Sequence, residues 1–395
     1  MRETGLADFG GSWFRGPLAV LLRSLREEAQ LNPVGRLVAH LYVLKLLRER
    51  LWAEQWFADN PAIRRRRLAA PVVVVGPMRS GTTRLHRLLA ADDRFSHLRM
   101  FETVCPVPKP SRTGVRDRRP REAARNLALL HRANPATRAI HPTGPMEPEE
   151  ELGLFVASAW GMKHETQWRV PGYARWCEGT DATPAYARMA DLLRLTGWLR
   201  GEEPDRPWLL KTPQHMLDLP ALLRIFPGAR IIFIHRDPAA IVGSGCSLAW
   251  HQMGVHSDHV DPRWIGREWL RKTRLKIDRM SAARAGIPGG ASIDVHYHDM
   301  ERDWRSVMRR IYAFLDMDIE PVKAAMAAYA LRSERDRSFR SHRYQLGNFG
   351  LEAAEVRQTF EDYVRDYAIP LDIRSQSRSR NAPQREPREV GIATG

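Results

Sequence analysis

The chain has 395 residues, 43% of them hydrophobic, which suffices for one large domain or two smaller ones with a buried core. Its 62 lysines and arginines outnumber its 46 aspartates and glutamates, and the net charge of +16 favours an anionic partner such as nucleic acid, acidic lipid or a phosphorylated small molecule. Cys105, Cys177 and Cys246 form no CxxC pair, which argues against a disulfide framework or a zinc knuckle and favours a reducing compartment.

The first 70 residues have the periodicity of amphipathic helices and predict an N-terminal helical segment that packs on the rest of the protein. Within it, GPLAVLLRSL at residues 16–25 predicts a short helix whose apolar side faces the core. Contact of this helix with a membrane surface or an acceptor site is the alternative. The sequence contains no signal-peptide core and no apolar run of about 20 residues, so we expect a soluble, cytoplasmic protein with at most peripheral membrane contact.

Four short apolar runs, each followed by a helix-like pattern, predict a parallel sheet covered on both faces, and hence an α/β fold. These runs are residues 71–76, 207–211, 229–235 and 291–297. Residues 105–205 have helical periodicity and are expected to form an insertion that shapes an acceptor pocket. The polar sequence from Arg374 onward predicts a disordered basic tail, so the main domain is expected to span residues 71–373.

The first predicted strand leads into GPMRSGTT, which has the spacing of a phosphate-binding loop. Gly76 permits a tight turn, and Gly81 lets the backbone approach a phosphate. Thr82 and Thr83 begin a helix whose N-terminus favours an anion. Because Thr82 replaces the lysine of nucleotide hydrolases, the loop is poorly suited to a triphosphate, and Arg79 within the turn is expected to neutralise a shorter anion.

A second anion-binding pattern follows the third predicted strand. Arg236 stands at the carboxyl end of that strand, Pro238 begins a helix, and Ser244 lies less than two turns further on. Because ligands of open parallel sheets bind at the carboxyl ends of the strands, Arg236 and the glycine loop are expected to face one crevice. A guanidinium beside a hydroxyl suits a terminal phosphate. The alternative is a turn in which Asp237 merely caps the helix.

Together these motifs resemble those of the sulfotransferases that use 3'-phosphoadenosine 5'-phosphosulfate (PAPS). PMRSGTT is similar to their 5'-phosphosulfate loop, and RDP with Ser244 is similar to their 3'-phosphate motif. Arginine at position 79 and the pair Glu102–Thr103 are closer to the bacterial branch related to tyrosylprotein sulfotransferases. The similarity continues through residues 209–238, 297–300 and 342–351 and covers roughly residues 70–370.

The resemblance implies a three-layer, P-loop-like fold that moves a sulfuryl group from PAPS, the co-substrate, to an acceptor hydroxyl. Lys211 is expected at the bridging oxygen, where it and Arg79 balance negative charge without a metal ion. The alternative for Lys211 is a strand-end lysine in solvent. The resemblance further implies a set of donor-binding residues: Arg79, Ser80, Gly81, Thr82, Thr83, Arg236, Ser244 and Tyr297.

The acceptor hydroxyl also needs a base. Glu102 matches the glutamate that serves as base in the tyrosylprotein relatives and is the preferred candidate. The competing candidates are His215, His141 and the acidic cluster Glu149, Glu150 and Glu151. The alternative for the acidic cluster is that its three glutamates stand in the first turn of a helix, where acidic side chains are favourable.

Two other functions fit parts of the sequence. A P-loop nucleotide kinase is opposed by the missing lysine and by the lack of a clear magnesium-binding aspartate, and a nucleic-acid-binding protein is opposed by dispersed arginines without a motif. The expected partner is instead a small-molecule or lipid-like hydroxyl acceptor, with no nucleic acid and no metal. Five aromatic residues either line its pocket or belong to the core: Phe155, Trp160, Trp168, Tyr173 and Trp176.

Overall fold

A computed structural model describes residues 4–110, 117–133, 143–335 and 345–372. Four parallel strands form a sheet in the order β2–β1–β3–β4: β1 (Val72–Val75), β2 (Leu209–Lys211), β3 (Arg230–His235) and β4 (Ser292–His296). These are the four strands predicted from the sequence, so the parallel sheet is confirmed. β2 begins later than predicted, because Trp208 pairs with Ser96 in an isolated bridge.

Helices make up most of the rest of the described chain. In chain order the α-helices of the described residues are α1 (Arg15–Glu27), α2 (Pro33–Asp59), α3 (Ala62–Arg65), α4 (Thr82–Leu89), α5 (Met100–Val104), α6 (Arg119–Ala133), α7 (Leu152–Phe155), α8 (Lys163–Gln167), α9 (Pro171–Glu178), α10 (Thr183–Arg200), α11 (His215–Ile225), α12 (Pro238–His256), α13 (Pro262–Arg284), α14 (Tyr297–Phe314), α15 (Lys323–Arg335), α16 (Ala353–Thr359) and α17 (Glu361–Asp366).

The sheet separates two hydrophobic cores. Along β1, Val73 and Val75 belong to one core and Val72 and Val74 to the other, because successive side chains of a strand point to opposite faces. A strand buried on both faces must be apolar throughout, which explains the run of four valines. Helices lie on both sides of the sheet, so the predicted three-layer α/β fold is confirmed.

Helices α4, α14 and α15 cover one face of the sheet. Their buried side chains include Leu88 of α4, Ile311 of α14 and Met326 of α15. The apolar side of α4 packs on β1 and β2, which fixes its N-terminus at the carboxyl end of β1. The other face is covered by helices from the N-terminal segment, the insertion and the C-terminal region.

The N-terminal helices are joined to the insertion by buried polar contacts. Arg50 of α2 donates from Nη1 to the carbonyl of Ala157 at 2.7 Å, and Glu54 accepts from Arg188 of α10 at 2.5 Å. Helix α1 buries Leu18 and Leu21, so its apolar side faces the core, as predicted for residues 16–25. Among the described residues, no helix combines the length and apolar character needed to cross a membrane.

Each strand of the sheet leads into a predicted site residue. β1 runs into the glycine loop, β2 ends at Lys211, β3 is followed directly by Arg236, and β4 is followed directly by Tyr297. Since all four strands are parallel, their carboxyl ends lie at the same edge of the sheet. This edge is the candidate site.

Candidate active site

The loop after β1 has the backbone of a phosphate cradle. Gly81 has φ +87° and Arg79 has φ +68°, so the turn places two residues in the left-handed region. A Cβ atom on Gly81 would lie 2.6 Å from the ring of Tyr297, so this position needs glycine for space as well as for conformation. The first backbone bond of α4 runs from the Leu85 N–H to the Gly81 carbonyl at 3.1 Å. The N–H groups before Leu85 lie outside the hydrogen-bond ladder of the helix and favour an anion.

The hydroxyl side chains of the loop differ in their exposure. Ser80 is fully buried and donates to the carbonyl of Pro77 at 2.7 Å, which stabilises the turn. Thr82 is buried at the first position of α4, and Thr83 is half-buried. Thr83 therefore offers the more accessible hydroxyl at the start of the helix.

Arg236 connects the end of β3 to the loop. Its Nη1 donates to the carbonyl of Arg79 at 2.6 Å, and its guanidinium lies 3.9 Å from the centre of the Tyr297 ring. The Arg79 Nε donates to Ser244 Oγ at 3.0 Å. Burial raises the pKa of the Tyr297 hydroxyl and the charge of Arg236 opposes that rise, so the ring is a neutral face for the cation. The two predicted motifs thus contact each other at this edge of the sheet.

Asp237, the residue after Arg236, has a structural role. Asp237 is fully buried, and its Oδ1 caps α12 by accepting from the Ala239 N–H at 2.9 Å. Its Oδ2 accepts from Arg357 at 2.5 Å. The helix-cap alternative is therefore correct for Asp237, while Arg236 faces the crevice.

Arg236 has a carboxylate beside it and an unused donor. Asp372 Oδ2 lies 3.4 Å from Nη2, with both side chains partly exposed. The Nε atom of Arg236 is buried and has no hydrogen-bond partner among the described residues. An unsatisfied buried donor beside a carboxylate marks a position that can accept an anion.

Lys211 is buried next to the loop. It pairs in the sheet with Val74 of β1, and only 2% of its side chain is exposed. Its Nζ lies 3.3 Å from Glu150 Oε1. The alternative of a strand-end lysine in solvent is therefore wrong.

A chain of three buried side chains leads to the backbone N–H of Lys211. Glu151 Oε2 accepts from the Lys211 N–H at 3.0 Å, and Glu151 Oε1 accepts from His215 Nε2 at 2.5 Å. His215 Nδ1 accepts from the Tyr186 hydroxyl at 2.9 Å. Burial raises the pKa of Tyr186 well above its ordinary value, so this hydroxyl remains a donor. Both ring nitrogens of His215 are thus engaged.

Glu150 is the member of the acidic cluster that faces Lys211. Its Oε1 contacts the ammonium group, whereas its Oε2 is buried and has no hydrogen-bond partner among the described residues. Glu149 instead accepts from the Thr143 hydroxyl at 3.2 Å, and Glu151 holds the strand end. A carboxylate oxygen without a hydrogen-bond partner among the described residues therefore lies next to a buried cation.

Glu102 lies in a separate set of contacts. Its Oε1 accepts from Arg200 Nε at 2.8 Å, and its Oε2 accepts from Arg200 Nη2 and from the Arg99 N–H. The side chain is 2% exposed. These contacts describe an ion pair that also caps α5, and the role of Glu102 as base stays a prediction. His141 lies outside the described residues.

Comparison with known proteins decides the family. A family model described as the sulfotransferase family matches residues 71–321, more than half of the chain. The chain belongs to the sulfotransferase family. The crystal structure of sulfotransferase STF1 from Mycobacterium tuberculosis H37Rv is similar, with 29% identity, a TM-score of 0.79, and coverage of 91% of this chain and 96% of that chain. Sulfotransferase STF9 from Mycobacterium avium has 27% identity and a TM-score of 0.82, with coverage of 94% and 95%. Comparison with curated proteins gives no match.

The family match confirms the resemblance found in the sequence motifs. The matched residues begin at β1 and include the glycine loop, Lys211, Arg236 and Tyr297. The sulfotransferase therefore transfers a sulfuryl group to an acceptor that carries a hydroxyl. This assignment decides against the P-loop kinase and the nucleic-acid-binding protein.

Several residues of the candidate site have no signal in the sequence. Asp372 is 136 residues from Arg236, and Tyr186 is 29 residues from His215, and neither stands in a recognisable motif. Four of the aromatic residues left open, Phe155, Trp160, Trp168 and Tyr173, are buried in the main core and Trp176 is half-buried, so the core alternative is correct for the four. In the part of the chain that the structure describes, no group of three or more His, Cys, Asp or Glu residues is placed to hold a metal ion.

Proposed function

We propose that this sulfotransferase takes the sulfuryl group from PAPS and transfers it by in-line displacement to a hydroxyl of a small-molecule or lipid-like acceptor. The observation behind this proposal is the chain of contacts in which Arg236 donates to the Arg79 carbonyl and Arg79 donates to Ser244. A donor with phosphate groups at the 3' and 5' positions of one ribose needs two anion sites close together. The crevice supplies both.

Arg236 and Ser244 suit the 3'-phosphate. The buried Nε of Arg236 needs a partner, and Asp372, 3.4 Å from Nη2, supports the view that this guanidinium accepts an anion. A phosphate presents more charge than a carboxylate and can accept two parallel bonds from the guanidinium. The Tyr297 ring, packed against the cation, fixes the plane of the guanidinium for that contact.

The loop and Lys211 suit the 5'-phosphosulfate. The N–H groups at the start of α4 and the half-buried Thr83 hydroxyl lie at one end of the loop. Lys211 pairs with Val74, just before the loop, so its ammonium group belongs to the same edge of the sheet. This arrangement supports a role for Lys211 at the oxygen that bridges phosphorus and sulfur.

In the transfer step, the acceptor oxygen forms a bond to sulfur while the bond between sulfur and the bridging oxygen breaks. The electron pair of the broken bond stays on the 5'-phosphate of the leaving nucleotide, where Lys211 balances the new charge. The proton of the acceptor hydroxyl goes to a carboxylate. As in phosphoryl transfer, alignment and charge balance do most of the catalysis.

We infer that Glu150 accepts this proton. Its Oε1 lies 3.3 Å from Lys211 Nζ, and its buried Oε2 has no partner among the described residues, so one oxygen is held by the ammonium group while the other is unpaired. Glu102 receives hydrogen bonds on both oxygens, and His215 is engaged on both ring nitrogens. Their contacts favour positioning roles over proton transfer, although the sequence-based preference for Glu102 stays a prediction that the same variants test.

The surroundings of Glu150 support an acceptor with an apolar part. The segment before Glu150 pairs with α5 through a bond from the Phe101 N–H to the Pro145 carbonyl at 3.1 Å. Met146 and Val104 are exposed apolar side chains on these two paired segments. Small-molecule sites combine an apolar lining with a few polar groups, and these exposed apolar side chains support a small-molecule or lipid-like acceptor.

The function is tested by incubating the protein with PAPS and a panel of phenols, sterols and long-chain alcohols, followed by high-resolution mass spectrometry. We expect a product that carries one added sulfuryl group. Adenosine 5'-phosphosulfate, which lacks the 3'-phosphate, is the matched control donor and should support far slower transfer. A phosphorylated product formed from ATP, with no sulfated product from PAPS, would contradict the proposal.

A further inference from the structure

The first half of α2 presents a row of apolar side chains to solvent. Val34, Leu37, Leu41 and Leu44 are 52%, 58%, 54% and 45% exposed, respectively. Their spacing of three and four residues places them on one side of the helix. We call these four residues the α2 stripe.

The opposite side of the same helix is fixed to the protein. Ala39 and Leu46 are buried, and a Cβ atom on Gly35 would lie 2.1 Å from the carbonyl oxygen of His256. The Asn32 N–H also donates to that oxygen at 3.0 Å. The orientation of the helix is therefore set by packing, and the α2 stripe faces outward because of it.

Basic side chains surround the α2 stripe. The helix from Pro33 to Arg48 contains no aspartate or glutamate. By helical spacing, His40 and Lys45 flank the stripe on its two sides and Arg48 follows at its end, while Arg36 lies further round the helix. Lys45 is paired with the buried Glu49 at 2.7 Å, and Asp258 accepts from Asn32 at the beginning of the helix. Residues 33–49 thus contain Arg36, Lys45 and Arg48 against the single carboxylate of Glu49, so this part of the helix has a net positive charge.

We propose that the α2 stripe rests on the surface of an anionic lipid bilayer. An apolar row flanked by basic groups is the pattern of helices that lie in the membrane interface, with the apolar side below the headgroups and the cations beside lipid phosphates. A second copy of this chain would bring the same basic groups face to face, in a protein of net charge +16, whereas anionic headgroups neutralise them. The proposal is independent of the sulfuryl donor.

The test is sedimentation of the full chain with vesicles of phosphatidylcholine alone or with about 30% phosphatidylserine. We expect binding to be at least about tenfold stronger with the anionic vesicles, since each basic residue near the surface contributes roughly fivefold. Replacing Leu37 and Leu41 by glutamate should lower binding to anionic vesicles by roughly tenfold or more. The matched control carries Leu129→Glu and Leu331→Glu, at helical positions that are equally exposed, and should bind like the unmodified chain.

Three results would overturn the proposal. The first is no binding of the unmodified chain to anionic vesicles, and the second is equal loss of binding in the two double variants. The third is concentration-dependent self-association without lipid that Leu37→Glu with Leu41→Glu abolishes, which would assign the α2 stripe to a second copy of the chain. Far-ultraviolet circular dichroism and thermal unfolding of both variants confirm that each is folded before binding is compared.

Discussion

Replacement of Arg236 by alanine is expected to remove the preference of the protein for adenosine 3',5'-bisphosphate over ADP. The two nucleotides carry similar charge but differ in where the second phosphate is attached. In the proposed site only the 3'-phosphate reaches Arg236 and Ser244. The unmodified protein should therefore bind the bisphosphate much more tightly, because ADP leaves the Arg236 Nε unsatisfied.

The magnitude follows from the contacts of Arg236. Its partly buried guanidinium would make a charge-assisted bond to the phosphate, and loss of such a contact costs about 2 to 4 kcal/mol, or roughly 30- to 1,000-fold in affinity. The variant also loses the bond to the Arg79 carbonyl, which shapes the loop. That second effect lowers the affinity for both nucleotides alike, so the ratio of the two affinities reports only the contact with the 3'-phosphate.

Isothermal titration calorimetry of both nucleotides measures this ratio. Arg236→Lys keeps the charge but not the two-bond geometry and should retain part of the preference. Arg332→Ala, at an exposed arginine on α15, is the control for a general loss of positive charge and should change neither affinity. Equal affinity of the unmodified protein for the two nucleotides, or an equal loss of both in Arg236→Ala, would refute the assignment of the 3'-phosphate site.

Four further outcomes are expected. Glu150→Gln should lower the rate of single-turnover transfer by roughly 100-fold or more and leave donor binding unchanged. Glu102→Gln should instead lower the stability of the protein, with little effect on the transfer rate of the folded enzyme. The reverse pattern would assign the base to Glu102. Turnover should persist in excess EDTA, because lysine and arginine balance the charge, and a loss of turnover restored by magnesium would contradict this. Asp372→Asn should tighten binding of adenosine 3',5'-bisphosphate several-fold by removing a competing carboxylate from Arg236, and unchanged affinity in calorimetry would argue against competition. Gly81→Ala should lower the free energy of unfolding by about 2 to 4 kcal/mol. The control Gly201→Ala should lower it by only about 1 to 2 kcal/mol, because Gly201 has a similar φ but open space around it. Equal losses in urea unfolding would show that the contact with Tyr297 contributes nothing to the cost.

The sheet could be predicted because its determinants are local. A strand buried on both faces must be apolar at every buried central position, and VVVV of β1 and IIFI of β3 satisfy this in four residues each. The rule that parallel strands present ligands at their carboxyl ends then predicts, from the sequence alone, that Arg236 lies beside the glycine loop. Arg79, Arg236, Ser244 and Tyr297 do meet there.

The partners of these side chains could not be predicted, because they come from distant parts of the chain. Glu102 pairs with Arg200, 98 residues away, and Glu151 pairs with His215, 64 residues away. Neither pair leaves a pattern in a single sequence. From the sequence alone, Glu102 and His215 both have the features of a catalytic base. Only the structure shows that Glu102 is paired with Arg200 and that His215 is hydrogen-bonded on both ring nitrogens.

The N-terminal helices illustrate a second limit. Residues 16–25 and residues 34–44 both have apolar side chains three and four residues apart, so periodicity predicts an apolar side for each helix. Periodicity does not state what covers that side. Packing buries Leu18 and Leu21 of α1, while the contact between Gly35 and His256 turns Leu37 and Leu41 of α2 toward solvent.

A crystal structure of the protein with adenosine 3',5'-bisphosphate tests the central claim most directly. The account predicts the 3'-phosphate within hydrogen-bonding distance of Arg236 and Ser244, with the carboxylate of Asp372 moved away from the guanidinium. It predicts the 5'-phosphate on the N–H groups at the start of α4, near Lys211. A nucleotide bound away from this edge of the sheet, or bound with its 3'-phosphate remote from Arg236, would contradict the account.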